Sequence, residues 1–413
     1  MKASEIKIRG FFTFKCCNLH SQPYQPNYTL GKLFTHIRGD LLGGITAGIV
    51  ALPLALAFGV SSGLGPSAGL YGAIFISFFA ALFGGTNTQI SGPTAPMTAV
   101  SMVVVAGIIG LYDGSVEKAL PAILSVFLMA GLFQIAMGLL GIGRYIRYIP
   151  YPVVSVFMTA IGVIIIITQI MPAIGFYPRE DQSYVEPFKP LAEELILENI
   201  LREEAGEGIL VLEDFEETIA RAEKISDQTI AEEARTLASK EASGVIGALR
   251  VLPRGLKNIN WLEVILTLVT LIIIYGFKRI TKMVPSTLVA LIVVSGVAFG
   301  FDLDYRTIEQ IPEGFPIPNL ELFTEFKFSI ISPYIFTALT LALLGAIDSL
   351  LTSVVADNMT KTKHKPNREL VGQGIGNSIA AVFGGLPGAG ATIRTVVNIN
   401  SGGKTRVSGM ISG

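Results

Sequence analysis

Charge is scarce in this 413-residue chain: 15% of its residues are Asp, Glu, Lys or Arg, against 51% hydrophobic. Soluble domains carry about a quarter charged residues, so the composition excludes an ordinary soluble protein and places the chain in the membrane class. Cysteine is nearly absent. Cys16 and Cys17 stand adjacent and alone, which excludes a disulfide framework and a cysteine metal site; they are either acylation candidates or solvent-facing bystanders. The net charge is −1 and no basic stripe with interleaved aromatics occurs, so nucleic acid is not an expected partner. No nucleophile paired with a base, no Walker loop and no metal cluster is found, so neither an enzyme nor a cofactor is expected. The N-terminus lacks a short apolar core with a small-residue cleavage site, so no cleaved signal peptide is expected and the first span directs insertion.

Long apolar runs are abundant. Residues 1–40 form an N-terminal segment with a basic excess (Lys2, Lys7, Arg9, Lys15, Lys32, Arg38), which the positive-inside rule assigns to the cytoplasm. Residues 41–176 hold five transmembrane segments, 177–258 an acidic extracytoplasmic insertion with one or two amphipathic helices, and 259–300 the sixth and seventh segments. Residues 301–329 are an acidic extracytoplasmic loop, and 330–413 the eighth to tenth segments. If each run crosses once, the short basic turns at Arg144/Arg147, Lys278/Arg279/Lys282, Lys361/Lys363/Lys365/Arg368 and Lys404/Arg406 all fall inside. His364, in one of them, is expected to be a solvated surface residue.

Two stretches break the apolar pattern. In Gly384–Ser401 (GGLPGAGATIRTVVNINS) the glycines and Pro387 make a poor helix up to Ala391. Non-helical backbone survives at membrane depth only where protein or a water-filled cavity satisfies it. The reading is a half-helix that starts in mid-membrane near Ala391, with a positive dipole end, unpaired N–H groups, and Thr392 and Arg394 in its first turn. Such an end binds anions. GGTNTQISGPTAPM (Gly84–Met97) repeats the pattern before another apolar helix. Paired breaks in two halves point to a transporter site at the midplane, with Thr94 and Thr392 on opposed half-helix N-termini. Two unrelated kinked helices are the alternative.

Between Ile335 and Ala356 the only charge is Asp348, with Thr352 one turn further along. A lone carboxylate at that depth costs several kcal/mol and requires a partner, a cavity or an ion. A carboxylate, a hydroxyl and carbonyls freed by the break suit Na⁺, the coupling ion of a cation–anion symporter. Asp348 as a proton carrier, or as a structural hydrogen-bonding residue, stays open. Arg394 likewise has two readings: anion ligand or counter-ion of Asp348, or a cavity-lining residue that only shapes the potential.

Asp40–Ala73, Phe78–Thr98, Leu343–Thr360 and Gly372–Thr405 together resemble the SulP family of anion transporters, most of all its sodium-dependent bicarbonate transporters of cyanobacteria and marine bacteria. The resemblance implies an all-α polytopic protein with an inverted seven-plus-seven transmembrane repeat, core and gate domains, two half-helices meeting at the midplane, and a second repeat cut short in this chain. It implies bicarbonate at Thr94, Ala391 and Thr392, and Na⁺ at Asp348, Thr352, Gly390 and Thr392. It also implies alternating access, a homodimer and a bacterial inner-membrane location. LPLALAFG (Leu52–Gly59) lacks the Gln/Ser pair of the family's eukaryotic sulfate carriers, which weakens sulfate as the substrate. Proton-coupled sulfate or dicarboxylate transport, an anion channel and a membrane sensor are the alternatives.

Overall fold

A computed structural model of the chain describes residues 36–112, 115–146, 151–196, 227–242, 244–280, 286–305, 316–324 and 331–413. Cys16, Cys17, Arg147 and most of the acidic stretch between 197 and 226 lie outside the described residues.

The chain is helical wherever the apolar runs are long. Helices α1 (Ile37–Ser62) and α2 (Pro66–Phe83) form an antiparallel hairpin. Gly63 in the left-handed conformation ends the first, and Pro66 opens the second, where a missing N–H costs nothing. A two-residue strand β1 (Ser91–Gly92) precedes α3 (Ala95–Ile109), which is followed by α4 (Val116–Leu139) and α5 (Tyr151–Ala173). Within the acidic segment lie α6 (Asp227–Glu241) and α7 (Gly244–Gly255), and then α8 (Trp261–Ile280) and α9 (Ser286–Gly300). The second half repeats the pattern of the first. The long helix α10 (Ile335–Thr360) and the shorter α11 (Pro366–Val382) lead to strand β2 (Ala389–Gly390), half-helix α12 (Thr392–Asn400) and α13 (Arg406–Ser412).

Helices α1, α2, α3, α4, α10, α11, α12 and α13 pack into one body, with α11 wedged between α2 and α4, while α8 and α9 pack mainly on each other. The apolar core lies where α3, α4 and α10 meet, around Val104, Ile108, Ile123, Phe127, Leu341 and Leu344. Leu139, Ile272, Phe299 and Phe336 are each 69% exposed or more. A solvent-exposed surface of that kind is untenable in water but matches lipid tails. Among the described residues four helices are long and apolar enough to cross a bilayer, and four shorter apolar ones accompany them.

Two expectations change. The first helix begins at Ile37, four residues before the apolar run, so Asp40 is fully buried in its first turn. Its carboxylate accepts from Lys404 N–H (2.7 Å), Thr405 N–H (2.9 Å) and the Thr405 hydroxyl (2.6 Å), tying α1 to the turn before α13. His364 is half-buried rather than solvated: its Nδ1 lies 2.7 Å from Asp357 Oδ2, and its N–H donates to the same oxygen. A charged residue at the end of α10 gives the ring a partner that composition alone does not reveal. The acidic segment also packs against the end of α5. Val251 of α7 is buried against Met171 and Phe176, and Asp181 binds Arg254 Nε at 2.8 Å.

Arg254 holds the Asp181 carboxyl down at about 2, helped by hydrogen bonds from Ser183 and Tyr184. A depressed carboxyl contributes stability that is complete above the ordinary value of ~4 and is lost as pH falls through about 2. This clasp therefore holds at every physiological pH.

At the crossing of α1 and α2, a Cβ on Gly69 would be driven into the Ala55 carbonyl, whereas one on Gly276 in α8 meets nothing within 4 Å. Gly69→Ala should cost about 1–3 kcal/mol through overpacking, and Gly276→Ala should be neutral or stabilising by up to about 1 kcal/mol. Thermal unfolding midpoints of the two variants in detergent check this; equal midpoints would contradict the packing.

Candidate functional site

The two broken stretches meet. Strands β1 and β2 pair antiparallel, Ser91 with Gly390 and Gly92 with Ala389, and Ala391 N–H donates to Ile90 O at 2.8 Å. Each chain thus satisfies the extended backbone of the other in the protein interior. Gly92, at φ 150°, adopts a conformation that side chains disfavour, and a Cβ there would strike Arg394 Nη1. A Cβ on Gly388 would strike the Gly92 carbonyl. The crossing is therefore a glycine contact.

Leaving the pair in opposite directions, the chains enter α3 with Thr94 as N-cap and α12 with Ala391 as N-cap, and neither cap forms a side-chain hydrogen bond. Two helix N-termini, each with its first N–H groups lacking an intrahelical acceptor, start within three residues of the same strand pair. Thr94 is 8% exposed and its hydroxyl has no hydrogen-bond partner; Thr392 is exposed. Ala391, the third residue at which bicarbonate is expected, has both backbone groups engaged. Its N–H is spent on Ile90 and its carbonyl on Thr395 N–H.

Helix α10 supplies the other side. Asp348, 7% exposed, faces the Thr94 hydroxyl. One turn on, the fully buried Thr352 hydroxyl lies 2.9 Å from Gly390 O and 2.8 Å from Thr392 Oγ1. Ser349 Oγ accepts the Gly390 N–H at 3.0 Å. Thr352 Oγ1, Gly390 O and Thr392 Oγ1 thus form a set of neutral oxygens one turn from a carboxylate, the donor chemistry of a hard monovalent cation.

Arg394 is not the counter-ion of Asp348. Among the described residues no ion pair joins them; Arg394 is 1% exposed, its Nη2 donates to Pro93 O at 3.3 Å, and its Nη1 has no partner. The reason is helical phase. Two residues from Thr392, Arg394 lies on the far side of α12 and places its charge behind the Gly92–Pro93 backbone.

Sequence reasoning missed the polar side chains that hold these segments. Glu369, Gln373 and Asn377, at four-residue spacing on α11, are all buried, and so are Gln89, Ser353 and Asn398. Ser353 Oγ donates to Gln89 Oε1 at 2.7 Å, and Asn398 Nδ2 to Thr88 O at 2.9 Å. The four-residue spacing of the three α11 residues is the signal the sequence carries for them.

Thr352→Val keeps the shape of the side chain while leaving Gly390 O and Thr392 Oγ1 without that partner, at a cost of about 1–3 kcal/mol. Its unfolding midpoint in detergent should fall, and Thr352→Ser should restore most of the loss; a Val variant as stable as the parent would show that the three oxygens do not hold one another.

Comparison with known proteins follows the same lines. Residues 37–190 and 222–413 match the Sulfate permease family, leaving out only 191–221 between them. The chain is 40% identical over 382 residues to "Bicarbonate transporter BicA" of Synechocystis sp., covering 92% of this chain and 56% of the relative. It is 30% identical over 338 residues to "Putative sulfate transporter YvdB" of Bacillus subtilis, covering 81% and 50%. The chain spans about half the length of the curated relatives it matches. Its fold superposes on the transmembrane domain of a cyanobacterial bicarbonate transporter BicA with TM-score 0.72 and 38% identity, covering 92% of this chain and 80% of the other. A murine Solute Carrier 26 family member A9 anion transporter shares the fold at TM-score 0.65 and 17% identity, covering 96% and 60%. The paired half-helices, the repeated order of elements and these matches lead to one conclusion: the chain is a multi-pass membrane protein of the sulfate permease family, with that family's inverted-repeat transmembrane fold.

Proposed function

We propose that this protein is a secondary active transporter that carries bicarbonate together with Na⁺ by alternating access. The observation that carries the reading is the pair of uncapped helix N-termini beside a buried carboxylate and three neutral oxygens. The dipole ends of α3 and α12, with the Thr94 and Thr392 hydroxyls as donors, attract an anion, and the guanidinium of Arg394 adds positive potential from behind. Asp348, Thr352, Gly390 O and Thr392 take the cation. Bicarbonate and Na⁺ bound together offset one another while the Arg394 guanidinium balances the carboxylate, so an empty or doubly loaded site crosses more readily than a half-loaded one. Thr392 borders both ions and couples them. The similarity to bicarbonate transporters supports the substrate. A homodimer in the bacterial inner membrane with a cytoplasmic N-terminus completes the proposal, on the family resemblance and the basic loops.

The similarity to a putative sulfate transporter favours a second reading, in which sulfate is carried with H⁺ and Asp348 takes the proton. Opposed helix N-termini accept a planar monoanion or a tetrahedral dianion alike.

Uptake of labelled bicarbonate and of labelled sulfate by the full-length protein in liposomes, each with and without a Na⁺ gradient, separates the two. Bicarbonate uptake that requires Na⁺ is expected; sulfate uptake driven by a proton gradient and indifferent to Na⁺ would establish the other reading. Asp348→Asn should abolish Na⁺-dependent uptake in folded protein, an outcome a channel would not show. Thr392→Val should raise the half-saturating concentrations of both ions, by about ten-fold for the loss of a hydrogen bond to a charged group. An effect on neither ion would place the site elsewhere.

A further inference from the structure

Helix α11 carries Glu369, Gln373 and Asn377 one turn apart on a single face, exposed by only 2%, 0% and 2%. Glu369 Oε2 accepts the N–H groups of Gly85 (2.7 Å) and Thr86 (2.8 Å), while Oε1 accepts Gln89 Nε2 (3.0 Å) and Gln373 Nε2 (2.9 Å). Gln373 Nε2 also donates to Ser91 Oγ at 2.5 Å. Two turns beyond Glu369, Asn377 clasps Gly388 from both sides: its Oδ1 accepts the Gly388 N–H at 2.8 Å and its Nδ2 donates to Gly388 O at 3.0 Å. The same Nδ2 reaches Gln134 Oε1 on α4 at 2.8 Å.

The first two residues therefore grip the segment that leads into α3, and the third grips the segment that leads into α12. Both segments are extended and glycine-rich, with little stiffness of their own. A two-turn stretch of helix, about 12 Å long, is rigid by comparison. Gln89 further ties this bracket to Ser353, the neighbour of Thr352 on α10. A buried carboxylate holding four N–H donors is a costly device for a mere packing contact, yet an economical one for fixing position.

We propose that the Glu369–Gln373–Asn377 stripe is a spacer that sets the separation of the two helix N-termini and thereby selects among anions. The inference rests on the reading of the cleft as an anion site. These are positioning residues: none is placed to touch the anion, and they act through Thr94 and Thr392. An anion held by donors from two directions senses a shift of a fraction of an ångström in either, and anions of different size sense it unequally.

The test uses the full chain in liposomes with labelled bicarbonate and labelled sulfate as probes. Glu369→Gln keeps the shape but turns an amide toward backbone donors; Asn377→Asp keeps the acceptor for Gly388 N–H and loses the donor; Glu369→Asp is the conservative control. Expected for the first two is a half-saturating bicarbonate concentration about ten-fold higher, the scale of supporting-shell losses. The preference between the two anions should change as well, while the maximal rate per folded transporter stays near that of the parent, and Glu369→Asp should recover part of the loss. Unchanged half-saturation and preference in folded protein would overturn the spacer, and so would a loss confined to the yield of folded protein. If Glu369→Gln fails to fold, the other two variants decide. If the parent transports neither anion, it is the functional reading that has failed. The spacer is then judged by hydrogen exchange over residues 85–94 and 386–394: faster exchange at both in Asn377→Asp or Glu369→Asp supports it, and exchange unchanged at both overturns it.

Discussion

Backbone that leaves the helix inside a membrane protein has to find its hydrogen bonds in the protein, and the rest of this structure depends on how that is arranged. Each of the two broken segments is the solution for the other. Ser91 and Gly92 pair with Gly390 and Ala389, and other groups are taken by side chains of α2, α10, α11 and α12. The pairing forces the chains to cross closely, which only glycine at 92 and 388 allows. It also forces two helices to begin back to back in the interior, so that two positive dipole ends share one small region.

Two buried carboxylates show how the same chemistry serves different ends. Glu369 is saturated with N–H donors from three directions, and a charge so surrounded stays where it is. Asp348 is nearly as deep, but among the described residues the side-chain donor it faces is the single hydroxyl of Thr94. A buried charge left in that state is costly, and an exchangeable cation is one relief of the cost. Glu369 belongs to the frame; Asp348 belongs to the cleft the frame surrounds.

Much of the fold was legible because a bilayer simplifies the code. Span lengths follow from its thickness, and breaks stand out when Gly and Pro interrupt runs such as those before Thr98 and Thr392. Boundaries were less legible: α1 begins at Ile37 and α10 runs to Thr360, beyond the apolar runs, because Asp40 finds partners in a distant part of the chain and Asp357 finds His364 in the loop that follows its helix. The residues at the broken segments could be picked out individually. Their partners could not, since Gln89, Ser353 and Gln373 are ordinary polar residues until the fold brings segments nearly 300 positions apart into contact.

From the sequence alone the chain reads as a membrane protein with two Gly/Pro-broken apolar stretches and one carboxylate that sits where none is cheap. Those conclusions need only composition, periodicity and the cost of charge in hydrocarbon. Only the tertiary structure decided that the two breaks hydrogen-bond each other, that Arg394 points away from Asp348, that Ala391 spends its backbone groups on the strand pair and the first helical turn, and that α11 holds both segments. These depend on helical phase and on contacts between remote residues, and a hydrogen bond has a direction and a length that no one-dimensional pattern specifies.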